Sequence, residues 1–217
     1  MNLICPLCSG NNIQHYYQQQ FRKKPACDYY QCDVCQLVFV DPGQRLTADA
    51  EKAEYDLHEN AIDDPGYRQF LSRLQEPLLQ RVPAPAEGLD FGCGPGPALS
   101  AMLTVSGYSM SLYDSFYYTD AAAFDRHYDF ITATEVVEHL YEPGRVLKQL
   151  WSLLPSGGLL ALMTKLVIDP QSFSNWHYKN DPTHVCFFSR PTFEWLAGQW
   201  QCRLEFIGKD VILLTKT

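Results

Sequence analysis

The chain contains no apolar run approaching the roughly 18 residues of a membrane-spanning helix, so no transmembrane segment is expected. Its opening residues, Met1-Asn2-Leu3-Ile4-Cys5, carry no positive stretch ahead of a long apolar one, and no secretory leader is expected. Basic residues are in deficit: 17 Lys and Arg stand against 25 Asp and Glu, a formal net charge of −8. That balance argues against a sequence-independent nucleic-acid binder, which carries a basic excess. What is present excludes global disorder, because 46% hydrophobic and 13% aromatic residues are ample for a packed core. A length of 217 residues fits one ordinary domain with a small appendage. The expectation is a soluble protein of the cytoplasm.

Cysteine is not scarce. Cys5-Pro6-Leu7-Cys8 and Cys32-Asp33-Val34-Cys35 form two CxxC pairs with 23 residues between them. Two such pairs, Cys5, Cys8, Cys32 and Cys35, can place four thiolates tetrahedrally around Zn²⁺. Some forty residues bury too little apolar surface to fold alone, and a metal supplies what the core lacks. Disulfides are disfavoured in a reducing compartment. Residues 1–40 are therefore expected to be a zinc ribbon. Residues 41–66 follow as an acidic linker with a helical piece, containing Asp41, Asp49, Glu51, Glu54, Asp56, Glu59, Asp63 and Asp64 against Arg45 and Lys52. From Tyr67 onward Phe70, Leu71, Leu74, Leu78 and Leu79 recur at helical spacing, with Pro77 expected to bend or restart that helix.

The segment Leu89-Asp90-Phe91-Gly92-Cys93-Gly94-Pro95-Gly96-Pro97 carries the most chemical information. Three glycines alternate directly after a short apolar run, and Pro97 opens a helical pattern at the position where a missing N–H costs nothing. A strand, a tight turn and a helix N-terminus result. A phosphate loop of the NTPase kind ends in Gly-Lys-Ser/Thr, and no lysine stands here. A dinucleotide site uses GxGxxG, but the third glycine comes one residue early. Asp90 would also repel a pyrophosphate while suiting a cationic ligand or an ammonium group. A glycine-rich turn without a ligand is the remaining structural reading. Asp114, eighteen residues after Gly96, ends the next strand, where a carboxylate can accept both hydroxyls of a ribose. Tyr113 or Phe116 could pack on an adenine, and Asp120 and Asp125 are candidates for its amine.

Strands and helices alternate downstream: helix Pro97–Ser106, strand Tyr108–Tyr113, strand Tyr128–Thr134, helix Gly144–Leu154 and strand Leu159–Thr164. Ser115–His127 is too short for a complete helix-strand-helix unit, so one peripheral strand is expected to be stunted or absent. A helix capped by Ser189 and a hairpin around Gly208-Lys209-Asp210 close the chain. The fold class read from this pattern is α/β, a doubly wound, mostly parallel sheet with a C-terminal antiparallel hairpin.

The glycine segment resembles the first motif of class I S-adenosylmethionine-dependent methyltransferases, and the resemblance covers residues 67–217. It implies that Asp90, Gly92, Cys93, Gly94, Gly96, Pro97, Asp114, Thr134 and Glu135 bind S-adenosylmethionine. The N-terminal ribbon resembles that of one group of bacterial methyltransferases. Thr134-Glu135-Val136-Val137-Glu138-His139-Leu140 resembles the fourth-strand motif of ubiquinone-type O-methyltransferases and small-RNA terminal 2′-O-methyltransferases. In several of these, Glu-x-x-Glu-His and a further histidine bind a divalent metal. On a helical turn Glu135, Glu138 and His139 would share one face and could hold Mg²⁺ or Mn²⁺. Without a metal, His139 would be a general base. Acids capping a helix beside a packed histidine is the structural alternative. Lys165–Ser189 adds Phe173, Trp176, His177, Tyr178, His184, Phe187 and Phe188, and is expected to cover the cofactor and shape the acceptor pocket, with plain core aromatics as the equal alternative. His177 or His184 would be a further ligand or the base, with Asp181-Pro182-Thr183 placing His184. The implied activity is methyl transfer to an O or N nucleophile of a small molecule. An RNA or protein methyltransferase reading through its ribbon, and a non-catalytic adaptor, are the alternatives.

Overall fold

The computed structural model describes residues 3–22, 25–57 and 61–217; Met1 and Asn2 of the opening segment and Glu59 of the acidic linker lie outside them. In chain order, β1 (Ile13–Gln19), β2 (Cys27–Cys32) and β3 (Val38–Val40) precede helix α1 (Ala48–Tyr55). The next elements are α2 (Pro65–Leu79), β4 (Glu87–Phe91), α3 (Ala98–Val105), β5 (Ser109–Tyr113) and β6 (Phe130–Thr134). They lead to α4 (Pro143–Ser152), β7 (Leu159–Met163), α5 (Pro170–Ser174) and β8 (Cys186–Phe187). Helix α6 (Arg190–Trp200) and the hairpin of β9 (Arg203–Ile207) and β10 (Val211–Thr215) close the order. No helix among the described residues is long and apolar enough to cross a membrane.

Local sequence explains most of these boundaries. Thr47 caps α1 by accepting the Ala50 N–H, and Asp64 caps α2 by accepting that of Tyr67, with Pro65 in its first turn. Ser189 Oγ accepts the Thr192 N–H at the start of α6. Pro77 does not break α2. It sits in the last turn of one continuous helix, which ends two residues later at Leu79. Pro97 is the cap residue before α3 rather than its first helical residue, and it offers no side-chain acceptor.

The described residues form two compact units, and the division is not collinear with the sequence. One comprises Met1–Leu57, Glu138–Leu147 and Lys165–Gln199; the other comprises His58–Val137, Lys148–Thr164 and Trp200–Thr217. The second contains a six-stranded sheet of order β5-β4-β6-β7-β10-β9. β4 pairs in parallel with β5 and β6, and β6 with β7, whereas β10 is antiparallel to both β7 and β9. The hairpin and the mostly parallel sheet are as the alternation required. Ser115–His127 holds a 3-10 turn, Ala121–Phe124, in place of a further strand, so β5 is the sheet edge. Leu71, Leu74 and Leu78 of α2 pack with Leu99 and Leu103 of α3 against Phe130, Ala161, Met163 and Leu213.

The first unit is organised by a four-stranded sheet of order β1-β2-β3-β8. The three ribbon strands are joined by β8 from far along the chain, with Val38 opposite Phe187 and Phe39 opposite Cys186. The division into 1–40, 41–66 and 67–217 describes order along the chain, not the compact units.

Gly88 in β4 lies under the Phe130 ring: a Cβ there would stand 2.3 Å from Phe130 Cζ and 2.8 Å from Met110 Sδ. Phe130 is fully buried and has nowhere to move. Gly88→Ala should therefore cost about 1–3 kcal/mol by overpacking, read as a lower urea midpoint with unchanged slope.

Candidate functional site

In the unit containing the six-stranded sheet, β4 ends at Phe91 and the chain turns through Gly92 and Gly94, whose φ values are +71° and +63°. The turn is closed on the end of β5. Gly92 and Cys93 donate to the Tyr113 carbonyl at 2.8 and 3.3 Å, and Gly94 donates to Asp114 Oδ2 at 3.0 Å. A Cβ on Gly92 would meet the Val136 methyls at 2.5 and 2.8 Å, whereas one on Gly94 would meet nothing within 4 Å. The turn is thus packed on one side and open at Gly94. The Gly96 carbonyl accepts the Ala98 N–H as α3 begins.

Three carboxylates surround this turn. Asp90 is buried, accepts the Thr132 hydroxyl at 2.8 Å, and is pushed up to about 6 by burial. Asp114 accepts Phe116 and Tyr117 N–H groups on Oδ1 and Gly94 on Oδ2, so its carboxylate is pinned across the strand end with one lone pair to spare, on Oδ2. Glu135 follows Thr134, the partly buried last residue of β6. It adopts a left-handed backbone, φ +52°, and its N–H donates to the Met163 carbonyl at 2.8 Å. Tyr67 of α2 belongs here too. Its hydroxyl is pushed up to about 12 by burial and then by the charges of Asp90 and Glu135. The Cys93 thiol is also raised, by burial and then by Asp90 and Asp114, and it stays protonated. The periodicity of α2 marked Tyr67 only as part of an apolar helix, and no sequence signal distinguished its hydroxyl.

Phe91 and Tyr113 stack at 5.5 Å, and Phe124 meets Tyr113 edge-on at 4.5 Å. Phe116 packs on Tyr117 instead. Of the two acids considered for an adenine amine, Asp120 caps the Ala121–Phe124 turn through the Ala122 N–H, and Asp125 closes it.

The other unit contains two clusters. In the first, Cys5 and Cys35 Sγ lie 3.4 Å apart and Cys8 and Cys32 Sγ lie 3.5 Å apart, all four sulfurs within 4.8 Å of one another and none in a disulfide. A tetrahedral site with Zn–S bonds of about 2.3 Å has S···S edges of about 3.8 Å, so the four thiols fit Zn²⁺. The two knuckles share one geometry. Ser9 and Gln36, each directly after the second cysteine, have φ of 60° and 59°, and their N–H groups donate to the carbonyls of Cys5 and Cys32. The hydrogen bond from Cys35 lowers Cys5 to about 6 against the effect of its burial.

The second cluster is Glu138, His139 and His184, whose ligand-capable atoms lie within 4.8 Å of one another. Glu138 is fully buried and accepts the Tyr178 hydroxyl. His139 Nδ1 lies 3.2 Å from the Thr183 carbonyl, and His184 Nδ1 lies 2.6 Å from the Tyr178 carbonyl. A carbonyl only accepts, so each Nδ1 carries a proton; His184 Nε2 faces Asp181 Oδ2 at 3.8 Å. The rings meet edge-on at 4.6 Å. Asp181 accepts both the N–H and the hydroxyl of Thr183, and the His184 N–H donates to the Asp181 carbonyl, so the turn places His184 as the sequence suggested. Burial works to raise Asp181, but the Thr183 bonds and the two imidazoles hold it below the usual carboxylate range.

The expected set Glu135, Glu138 and His139 is not the group assembled. Only Val137–His139 is helical, as a single 3-10 turn, and the left-handed Glu135 before it breaks the i, i+3, i+4 face. Of the two further histidines, His184 joins the cluster. His177 is exposed, with Nε2 3.4 Å from Lys165 Nζ. Tyr55 of the linker helix α1 stands edge-on to His139 at 5.3 Å and donates to Glu51 at 2.8 Å. Both residues were read only as part of an acidic linker.

A family model described as a methyltransferase domain matches residues 64–205. The structure resembles the 1,6-didemethyltoxoflavin-N1-methyltransferase of Burkholderia thailandensis, solved with 1,6-didemethyltoxoflavin and S-adenosylhomocysteine. The TM-score is 0.54 and the identity 16%, over 92% of this chain and 99% of that one. It also resembles the magnesium protoporphyrin IX methyltransferase of Synechocystis PCC 6803, solved with S-adenosylmethionine (TM-score 0.52, 14% identity, 79% and 92% coverage). No curated protein matches the chain. Identities this low establish a shared fold, while the family match spans well over half of the residues. The chain therefore belongs to the methyltransferase domain family.

Proposed function

We propose that the protein transfers a methyl group from S-adenosylmethionine to an oxygen or nitrogen of a small molecule, with the proton taken by the Glu138–His139–His184 cluster. The observation that carries this reading is the cluster itself: two imidazoles, each held through Nδ1 to a backbone carbonyl, with a buried carboxylate whose ligand-capable atom lies within 4.8 Å of theirs. When bound, S-adenosylmethionine supplies an electrophilic methyl on a sulfonium, so the chain's own work is alignment and proton removal. Asp114 offers the remaining lone pair of Oδ2 to a ribose hydroxyl. The glycine turn and the carboxylates Asp90 and Glu135 suit the cationic methionine end. His139 Nε2 takes the acceptor proton, and the neighbouring Glu138 carboxylate stabilises the imidazolium. The aromatic residues of Lys165–Ser189 do not line the acceptor's place: Phe173, Tyr178, Phe187 and Phe188 are buried, and Phe173 and Phe187 pack on ribbon tyrosines. The small-molecule substrates named for both similar structures agree with a small-molecule acceptor. Free thiols suited to holding zinc, with no disulfide, suit the cytoplasm.

The same cluster supports a metal-assisted variant. Two imidazole nitrogens and one carboxylate fit a borderline ion, so Mn²⁺ suits the donor set better than Mg²⁺, which prefers oxygen. Such an ion would acidify a bound hydroxyl. Activity lost on chelation and restored by Mn²⁺, but not by Mg²⁺, would select this variant.

The reading is tested first by calorimetry. Saturable binding of S-adenosylhomocysteine should weaken at least tenfold, about 1.4 kcal/mol, in Asp114→Ala, and its absence in well-folded protein would remove the assignment. His139→Ala should abolish turnover while leaving that affinity within a few-fold; an active variant would discard His139 as the base.

Asp90 adds a pH signature. Its folded value of about 6 lies above the roughly 3.9 of an unfolded aspartate, so the folded chain binds its proton more tightly. The stabilisation this confers is complete below about pH 4 and is lost as pH rises through about 6, a change of ~3 kcal/mol at most. In cofactor-free protein the stability of Asp90→Asn relative to wild type should rise between pH 4 and 7. Parallel urea midpoints across that range would contradict it.

A further inference from the structure

The turn carrying Glu138 and His139 and the turn carrying His184 are each too short to hold themselves. One is a single 3-10 turn, Val137–His139, and the other is the four-residue turn Asp181–His184. A single hydrogen-bonded turn does not repay the chain entropy of forming it. Their order comes from neighbours, and within this unit those neighbours are the ribbon together with the linker, whose Tyr55 meets His139 and whose Leu46 carbonyl accepts the Tyr141 hydroxyl.

Three ties connect the ribbon to the two turns. First, β3 pairs with β8, and the Val40 N–H donates to the Val185 carbonyl at 2.9 Å. The Val185 N–H in turn donates to the Glu138 carbonyl at 2.8 Å. One residue, Val185, thus links a ribbon strand to the residue before His139 and stands next to His184. Second, the Gly144 N–H donates to the Pro6 carbonyl at 3.1 Å, inside the first knuckle. A Cβ on Gly144 would lie 2.2 Å from the Leu7 carbonyl oxygen. The knuckle backbone and the segment leading from His139 into α4 are therefore in direct contact. Third, the buried Cys186 thiol donates to the Leu140 carbonyl at 3.2 Å, and Tyr29 of β2 donates to the Lys179 carbonyl beside Tyr178. Each tie ends within a few residues of the cluster.

We propose that the zinc ribbon is the positioning element of the Glu138–His139–His184 cluster. Zinc holds Cys5, Cys8, Cys32 and Cys35, the two knuckles hold β3 and the Gly144 contact, and these hold the turns bearing the two imidazoles. The inference takes the cluster's catalytic role from the proposed function, but its content is positional. Every residue named for the cofactor lies in the other unit. Zinc should accordingly govern the histidines and not the affinity for S-adenosylhomocysteine.

The test uses full-length, ¹⁵N-histidine-labelled protein in three forms: zinc-loaded, zinc-stripped by a chelator, and zinc-loaded Gly144→Ala. Long-range ¹H–¹⁵N spectra report the tautomer of His139 and His184, and calorimetry reports S-adenosylhomocysteine binding. In the zinc-loaded protein both rings should be Nδ1–H tautomers with slowly exchanging protons. Stripping should return both to the solvent-averaged mixture while the affinity stays within about threefold. Gly144→Ala, with its four thiols still on zinc, should show the same loss. Unchanged tautomers in either altered form would overturn the proposal. So would cofactor binding lost together with the tautomers on stripping, because zinc would then support the whole chain rather than the cluster. A zinc-dependent tautomer signature in a protein whose His139→Ala variant remains fully active would uphold the positioning role and defeat the catalytic one.

Discussion

The cofactor-side unit depends on how closely three segments meet behind Gly92. The turn after β4, the end of β5 and the residue after Glu135 converge there, with the Val136 methyls occupying the volume a Cβ would need. The Tyr113 carbonyl accepts two successive N–H groups, and the Asp114 carboxylate accepts a third. This contact dictates the left-handed backbone at Gly92 and Gly94, which glycine adopts without steric cost. Glu135 adopts the same region with a side chain, which costs on the order of 1 kcal/mol. Its hydrogen bond to Met163 helps to retain it there. A strained carboxylate at the carboxyl edge of a parallel sheet is where open α/β folds bind ligands.

The charge around that turn follows from the same packing. Asp90 and Glu135 both raise the Tyr67 phenol, and Asp90 and Asp114 both raise the Cys93 thiol. Asp90, Asp114 and Glu135 thus bring negative charge to the turn. A pyrophosphate would be repelled there, and an ammonium or sulfonium would be attracted. The electrostatic ground for setting aside a dinucleotide is thus stronger in the folded chain than the spacing of three glycines made it.

What was legible in the sequence was whatever depends on local covalent geometry. The CxxC spacing predicted two knuckles, and both formed with matching left-handed residues. The alternating glycines predicted a turn tight enough to close on a strand end, and apolar periodicity located the sheet strands to within a residue or two. The losses have physical causes. Pro77 was read as a disruption because its position relative to the helix end was not visible. The face shared by Glu135, Glu138 and His139 presumed a helix, which the backbone at Glu135 does not allow. Tyr67, and the pairings of Tyr55 with Glu51 and of Tyr178 with Glu138, escaped because a tyrosine at helical or loop spacing says nothing of which carboxylate its hydroxyl will meet. β8 escaped because two residues carry no period, and its pairing with β3 spans most of the chain.

That long-range pairing bears on what kind of object the ribbon is. Cys5 and Cys35 are separated by 30 residues, so the metal closes a short loop at modest entropic cost. Glu138–Leu147 and Lys165–Gln199 must be brought to the ribbon over far longer separations, which only many contacts can offset. Those contacts are visible: β8 on β3, and Phe173 against Tyr16, Tyr17, Tyr29 and Phe187. Removing residues 1–40 as though they were an independent domain would take three of the four strands from one sheet. It would leave the fourth unpaired, and it would expose the aromatic rings that seat on it. The ribbon is local in sequence, yet structurally it is the inner frame of a unit completed by Glu138–Leu147 and Lys165–Gln199.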